Sequence, residues 1–427
     1  MSGGMDEAQA LAWLFGLSDQ ERGVGWNPRA SADSQWKLGR TRALLDLAGA
    51  PDRQMRIALV AGTKGKGSTA VMLASVLGAQ GMRCGLYTKP HLQSYRERIR
   101  IDGTAISPCA FGAAVERMRG LVERLPLEAG EPTTFEVTTA LALDEFVRQG
   151  CDIAVVEVGL GGRLDATNAT EPAISVISSI SYDHTAILGH TLGLIAREKA
   201  GILRAGQPAV VARQRPAAAE ALRAACREIG AACVVVEPLE PQVALALAGA
   251  HQRQNAGLAV AAGRLLGPVS DAAIAEGLQR VCWPGRFEVL DGDPRVVLDG
   301  AHNGASAEAL AATLREHAPG RRVQLVVGIN RDKDARAVLR PLLPLADQVW
   351  ATETLDNPRA LPAADLARLC RRLGAAGVHA VSDPTRALHE ARASTEPHTS
   401  LVCVTGSLLL VGQARAALGL PPPERLW

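Results

Sequence analysis

The stretch Ala61-Gly62-Thr63-Lys64-Gly65-Lys66-Gly67-Ser68-Thr69 decides the fold class. It follows a short apolar run, residues 57–61, and opens into a helical pattern over 68–80. A glycine-rich turn between a strand and a helix lets backbone N–H groups approach phosphates closely. It also stands at the positive end of the helix dipole. Lys66 is spaced to reach the β- and γ-phosphates, and Ser68 or Thr69 to ligate Mg²⁺. The order is not a literal G-x-x-x-x-G-K-[ST], because Gly67 separates Lys66 from Ser68. A plain tight turn is the bland alternative. Alternating Gly and Lys at a strand-to-helix junction favours phosphate binding.

Outward from this turn, short β-rich runs alternate with longer helical patterns, as in a parallel sheet covered by helices. Strands are expected at 57–61, 84–87, 152–158, 173–180, 209–212, 296–299, 323–328, 348–351 and 401–405. Helices are expected at 68–80, 135–149, 216–229, 255–266, 305–317, 361–373 and 385–393. Thr133 and Glu136 have the spacing of a capping box, and Gly150 is placed to stop the same helix. A boundary is expected near Cys282-Trp283-Pro284-Gly285, giving an α/β ATP-binding domain over 1–284 and a smaller α/β domain over 285–427.

Composition narrows the function classes. The 427 residues are 47% hydrophobic and 21% charged, enough for a sizeable core. A net charge of +2 argues against a polybasic nucleic-acid or membrane-surface protein. Only six of 46 basic residues are lysines: Lys37, Lys64, Lys66, Lys89, Lys199 and Lys333. Against that arginine background, each lysine hints at a compact or titratable amine. The eight cysteines form no C-x-x-C pair and mostly sit in apolar settings, which reads as buried thiols in a reducing compartment rather than disulfides or a zinc site. Residues 1–6 lack a basic-then-apolar leader, and no run of 18 apolar residues suggests a membrane span. A soluble, cytoplasmic monomer is expected, with small-molecule partners, no nucleic acid and no membrane.

Open α/β sheets bind ligands at the carboxyl ends of their strands, and several of these ends are polar. Glu157 closes one strand, followed by Gly159-Leu160-Gly161-Gly162-Arg163-Leu164-Asp165. Ser181-Tyr182-Asp183-His184 follows another, and Asp299-Gly300-Ala301-His302-Asn303 a third. A carboxylate and an imidazole beside a phosphate loop suit a divalent cation bridging nucleotide and substrate. Singly, Glu157 reads as well as a loop cap and His184 as a satisfied buried histidine. Two further segments read as surface charge from the residues alone: Arg197-Glu198-Lys199 before Gly201, and the loop Lys89-Pro90-His91-Leu92 with Arg96-Glu97-Arg98.

With these motifs in this order, the chain resembles the bifunctional dihydrofolate synthase/folylpolyglutamate synthase family of the Mur ligase superfamily, from about residue 38 to 411. The matching segments include 62–69, 89–99, 133–139, 157–168, 183–189, 197–202, 284–287, 299–303 and 405–411. The resemblance implies a P-loop ATPase domain with a mostly parallel sheet and a smaller Rossmann-like C-terminal domain that brings glutamate. By the same resemblance Gly65, Lys66, Gly67, Ser68 and Thr69 hold ATP phosphates, and Asn255, Arg286 and Asp299 contact the nucleotide. Ser68, Glu157 and His184 ligate Mg²⁺, with two ions expected in all. Lys199 matches a family lysine that is carbamylated to serve the second metal. Thr133, Thr134, Phe135, Arg163 and Asp165 face the pterin. Lys66, Lys199 and His302 are the catalytic set. Two positions depart from the family: Lys89 stands where Ser is usual and Lys64 where Asn is usual.

The implied reaction is ATP-dependent amide ligation. A substrate carboxylate attacks the γ-phosphate to give an acyl phosphate, and the amine of L-glutamate then displaces phosphate. Dihydropteroate, reduced folates or both are the implied acceptors. The alternatives are another Mur-like amide ligase with a different acceptor, a P-loop phosphotransferase, and a nucleotide-binding regulator without ligase activity.

Overall fold

The computed structural model describes residues 4–19, 38–396 and 399–427. Residues 1–3, part of the N-terminal reading above, and Lys37 lie outside the described residues. The strands are β1 (Arg56–Ala61), β2 (Cys84–Tyr87), β3 (Ile99–Ile101), β4 (Thr104–Ala105), β5 (Ile153–Glu157), β6 (Ile174–Ile177), β7 (Pro208–Ala212) and β8 (Ala232–Val236). They continue as β9 (Glu288–Leu290), β10 (Arg295–Leu298), β11 (Arg322–Val327), β12 (Ala346–Ala351), β13 (Gly377–Ala380) and β14 (Ser400–Thr405). Two sheets result, in the orders β4-β3-β2-β5-β1-β6-β7-β8 and β13-β12-β11-β14-β10-β9. In the first, β2 through β8 across the centre run parallel and β3 and β4 form an antiparallel edge. In the second, only β9 is antiparallel.

Strand β1 shows why the apolar runs read as continuous. Its neighbours are β5 and β6, with Ala58 level with Val155 on one side and Ile174 on the other. Ile57, Leu59 and Ala61 enter one core with the helix Thr134–Arg148, while Ala58 and Val60 enter the other with the helices Lys66–Ala79 and His251–Leu266. Side chains alternate across a strand, so the strands of a sheet covered on both faces read as near-continuous apolar runs. The second sheet repeats the arrangement, with Val297 on one side and Val296 and Leu298 on the other.

The expected strands all form, with shifted ends. Strand β6 stops at Ile177, short of the expected 180. The backbone beyond it serves the phosphate loop instead: Ser179 accepts the N–H groups of Thr63 and Lys64 at 2.8 and 3.1 Å. The expected capping box is present, Thr133 accepting from Glu136 and Glu136 from Thr133. No described helix is long and apolar enough to cross a membrane.

Two expectations are overturned. Cys226 and Cys233 form a disulfide between the helix Pro216–Ile229 and β8. The apolar flanks of Cys233 misled, because β8 is an edge strand on which Val234 and Val235 are exposed. The segment Arg96-Glu97-Arg98 is not surface charge but buried. Arg96 pairs with Glu7 and Glu424, and fully buried Arg100 donates to the carbonyls of Pro423 and Glu424 at 2.6 and 3.0 Å. Residues 421–427 thus return to the first sheet, where Leu426 joins its core and accepts the N–H of Cys282 at 2.8 Å.

Candidate active site

The phosphate loop is shaped by its glycines. Gly65 is the N-cap of the helix Lys66–Ala79 at φ +83°, and a Cβ there would fall 2.1 Å from Asn255 Oδ1. Only glycine fits that turn. Asn255 in turn donates to Gln252 Oε1 at 2.9 Å, and Gln252 Nε2 reaches Ser68 Oγ at 3.4 Å. Buried Thr69 has a hydroxyl with no partner among the described residues. An orphaned buried hydroxyl at the first turn of a phosphate-loop helix fits an incoming phosphate or its metal. Burial lowers the Lys66 ammonium, with Lys89 adding to the effect and Glu157 opposing it.

Glu157 ends β5 and accepts the N–H of Lys89 at 3.2 Å. Burial raises its carboxyl, against the pull of Lys66. His184 sits in a left-handed turn at φ +48°. Its side chain is 40% exposed at the surface, yet desolvation of the ring and then Lys333 bring its imidazole down, with Asp183 opposing and Lys89 and Lys66 pushing in the same direction. Among the described residues no three His, Cys, Asp or Glu side chains gather into a metal cluster. Magnesium binds through one or two carboxylates plus substrate phosphates rather than an all-protein cage. Glu157 and the Ser68 and Thr69 hydroxyls are oxygen donors of the kind such an ion takes, and Glu157 Oε2 lies 3.4 Å from the point where a Cβ on Gly67 would fall.

Lys199, on the helix Leu192–Ala200, is 4% exposed and donates to the carbonyl of Gly62 at 2.9 Å. Burial, reinforced by Lys66 and Lys64, lowers its amine to about 7. The solvated-turn reading fails for Lys199, although its neighbour Arg197 is exposed.

Segments beyond residue 285 meet this edge at a carboxylate. Asp183 accepts from Lys64 Nζ of the phosphate loop at 3.0 Å. It also accepts from Asn303 Nδ2 at 2.9 Å and Lys333 Nζ at 3.2 Å, both beyond residue 285. Burial alone would raise the Asp183 carboxyl, but Lys64, His184 and Lys333 together hold it far below the usual carboxylate range. Beside Asn303, His302 Nδ1 contacts the carbonyl of Gly300 at 2.8 Å. Burial and then Lys64 drive this imidazole down to about 3, so it is neutral at pH 7. Asp299, at the end of β10, accepts the N–H groups of Phe287 and Ala301, each at 2.8 Å, while Arg286 opposes the rise that burial imposes on it.

Comparison with known proteins places this geometry. Residues 60–234 match the Mur ligase middle domain and residues 285–408 the Mur ligase glutamate ligase domain. A Bacillus subtilis protein named dihydrofolate synthase/folylpolyglutamate synthase is 34% identical over 411 residues, covering 89% of this chain and 94% of that protein. The chain belongs to the dihydrofolate synthase/folylpolyglutamate synthase family. Mycobacterium tuberculosis folylpolyglutamate synthase complexed with ADP superimposes with a TM-score of 0.88 at 33% identity, covering 97% of this chain and 99% of that one. A longer Halobacterium salinarum protein, named "Probable bifunctional folylpolyglutamate synthase/dihydropteroate synthase", is 38% identical over 382 residues. That match covers 83% of this chain and 46% of that protein.

The positions expected to face the pterin divide in two. Phe135, Asp165 and Lys89 converge, each with an atom within 3 Å of the point where a Cβ on Gly159 would lie. The Lys89 ammonium stands 4.7 Å from the centre of the Phe135 ring. Arg163 donates to Glu198 at 3.0 Å. Thr133 spends its hydroxyl on the helix cap, and Thr134 donates to the carbonyl of Leu14 at 2.9 Å. The structure also adds Gln252, Asp183, Asn303 and Lys333 to the site. Of these, Asp183 and Asn303 lay inside motifs already quoted from strand ends. Gln252 had no sequence signal beyond its one-turn spacing from Asn255.

Proposed function

We propose that this chain is an ATP-dependent carboxylate–amine ligase that joins L-glutamate to dihydropteroate, to reduced folates, or to both. One observation carries the reading: Asp183 takes hydrogen bonds from the phosphate loop and from the second sheet at once. Ligation needs two substrates held against one transferring phosphoryl group, and this contact brings the edges of two α/β units to one place. In this reading residues 1–284 hold ATP and residues 285–427 bring glutamate. The arrangement of β1–β8 and β9–β14 in separate sheets supports that division.

The backbone N–H groups of the loop, with Lys66, would cradle the phosphates and neutralise charge on the group in transfer. Ser68, Glu157 and His184 would hold a magnesium ion and a carbamate on Lys199 a second, and such ions supply further charge neutralisation. A carbamate forms only on a neutral amine, and a Lys199 amine near 7 supports one at physiological pH. Phe135 and Asp165, with Lys89, would orient the acceptor so that its carboxylate faces the γ-phosphate. Neutral His302, its ring fixed by the contact of Nδ1 with the Gly300 carbonyl, would line the approach of the glutamate amine. The contact between the two units would exclude water, whose attack on an acyl phosphate wastes ATP.

The test is ADP release measured with dihydropteroate and then with tetrahydrofolate, each with and without glutamate. At least one acceptor is expected to give ADP release that depends on glutamate. Release that ignores glutamate, with phosphate left on the product, would make the chain a phosphotransferase.

A further inference from the structure

Trp283 carries a feature that the reaction described so far does not use. Its indole N–H is buried and has no acceptor among the described residues. Buried donors in native proteins are nearly always paired, so an orphan marks a place where an acceptor belongs. The surroundings say which kind. A Cβ on Gly67 of the phosphate loop would lie 3.2 Å from Trp283 Cζ2 and 3.6 Å from Cε2, the carbon bonded to the indole nitrogen. Glu157 Oε2 lies 3.4 Å from the same point. The nitrogen-bearing edge of the ring therefore lies against the loop, and a side chain at Gly67 would push the ring back by a few tenths of an ångström.

Trp283 also stands where the chain leaves the core of the first sheet. The adjacent Cys282 N–H is tied to Leu426 at 2.8 Å, the Trp283 carbonyl accepts from Arg286 N–H at 3.2 Å, and the indole packs on the core of the first sheet.

We propose that Trp283 is a nucleotide-contact residue whose indole N–H donates to an anionic phosphate oxygen of a bound nucleoside di- or triphosphate. The inference rests on the reading that Gly65, Lys66, Gly67, Ser68 and Thr69 hold those phosphates. The ring itself is a fixture of the fold; its N–H is what the ligand uses.

Calorimetric titration of the full chain with ADP, pyrophosphate and adenosine separates the possibilities. Trp283→Phe keeps an aromatic ring and removes the donor. It is expected to weaken ADP and pyrophosphate about tenfold, the scale of a lost hydrogen bond to a charged group, and to leave adenosine unchanged. Its melting temperature without ligand is expected to change little, because loss of an unpaired buried donor offsets loss of ring packing. Trp283→Met, which also lacks the donor, should show the same pyrophosphate loss. Wild-type affinity for ADP and pyrophosphate in either variant overturns the inference, as does an equal loss for adenosine and ADP, which would make ring packing the cause. Failure of the wild-type chain to bind either phosphate ligand would instead overturn the phosphate-loop reading, and this inference with it.

Discussion

Lys199 is the residue on which chemistry and burial meet most sharply. Its amine is nearly sealed from water, surrounded by the positive charges of Lys66 and Lys64, and lowered to about 7. A guanidinium stays protonated under any such pressure, so arginine cannot take the carbamate role despite supplying most of this chain's cations. Lys199→Ala is expected to lose nearly all turnover and to recover part of it with an added short carboxylic acid. Lys199→Arg should be inactive and not rescued. As pH falls below about 7 the wild-type amine protonates, the carbamate is lost and activity falls with it, a dependence readable in a pH–rate profile. Wild-type turnover in Lys199→Arg would contradict the carbamate role. The burial that gives Lys199 this character was not legible beforehand, since Arg197-Glu198-Lys199 reads as solvated charge until the phosphate loop is seen to lie above it.

Among the elements, the helix Thr134–Arg148 shows what a sequence can and cannot declare. Its start and stop were legible, because a capping box and a terminal glycine are local signals: Thr133 and Glu136 cap each other and Gly150 turns at φ +70°. The second duty of Glu136 was not. It forms a buried two-pronged pair with Arg40, both contacts at 2.8 Å, across 96 residues of sequence. Removing one member of a buried pair leaves the other charge uncompensated, at a cost of about 3–5 kcal/mol. Glu136→Ala should therefore lower stability by about that amount in urea unfolding, and a loss below about 1 kcal/mol would refute the pairing. The same distance effect hid Arg96 and Arg100, whose partners arrive with the chain's last residues. Disulfide formation was equally opaque, because apolar flanks do not reveal that β8 is an edge.

Across the whole molecule, two α/β units present the carboxyl ends of their strands to each other. At the phosphate loop the contact includes Asp183, which joins Lys64 to Asn303 and Lys333, and elsewhere Arg415 donates to Gln93. Alternating strands and helices made both sheets legible, and the polar strand ends picked out Glu157, Asp183, Asp299 and His302 before their placement was known. Their convergence was not legible, because it depends on how one unit sits on the other. The central claim is that this convergence serves phosphoryl transfer to an acceptor carboxylate, followed by displacement of that phosphate by glutamate. Supplying an acceptor labelled with ¹⁸O in both carboxyl oxygens tests it directly, by mass analysis of the inorganic phosphate released. One labelled oxygen per turnover should appear in that phosphate, with the other retained in the new amide and release dependent on glutamate. Unlabelled phosphate accompanying amide formation would contradict the acyl-phosphate route.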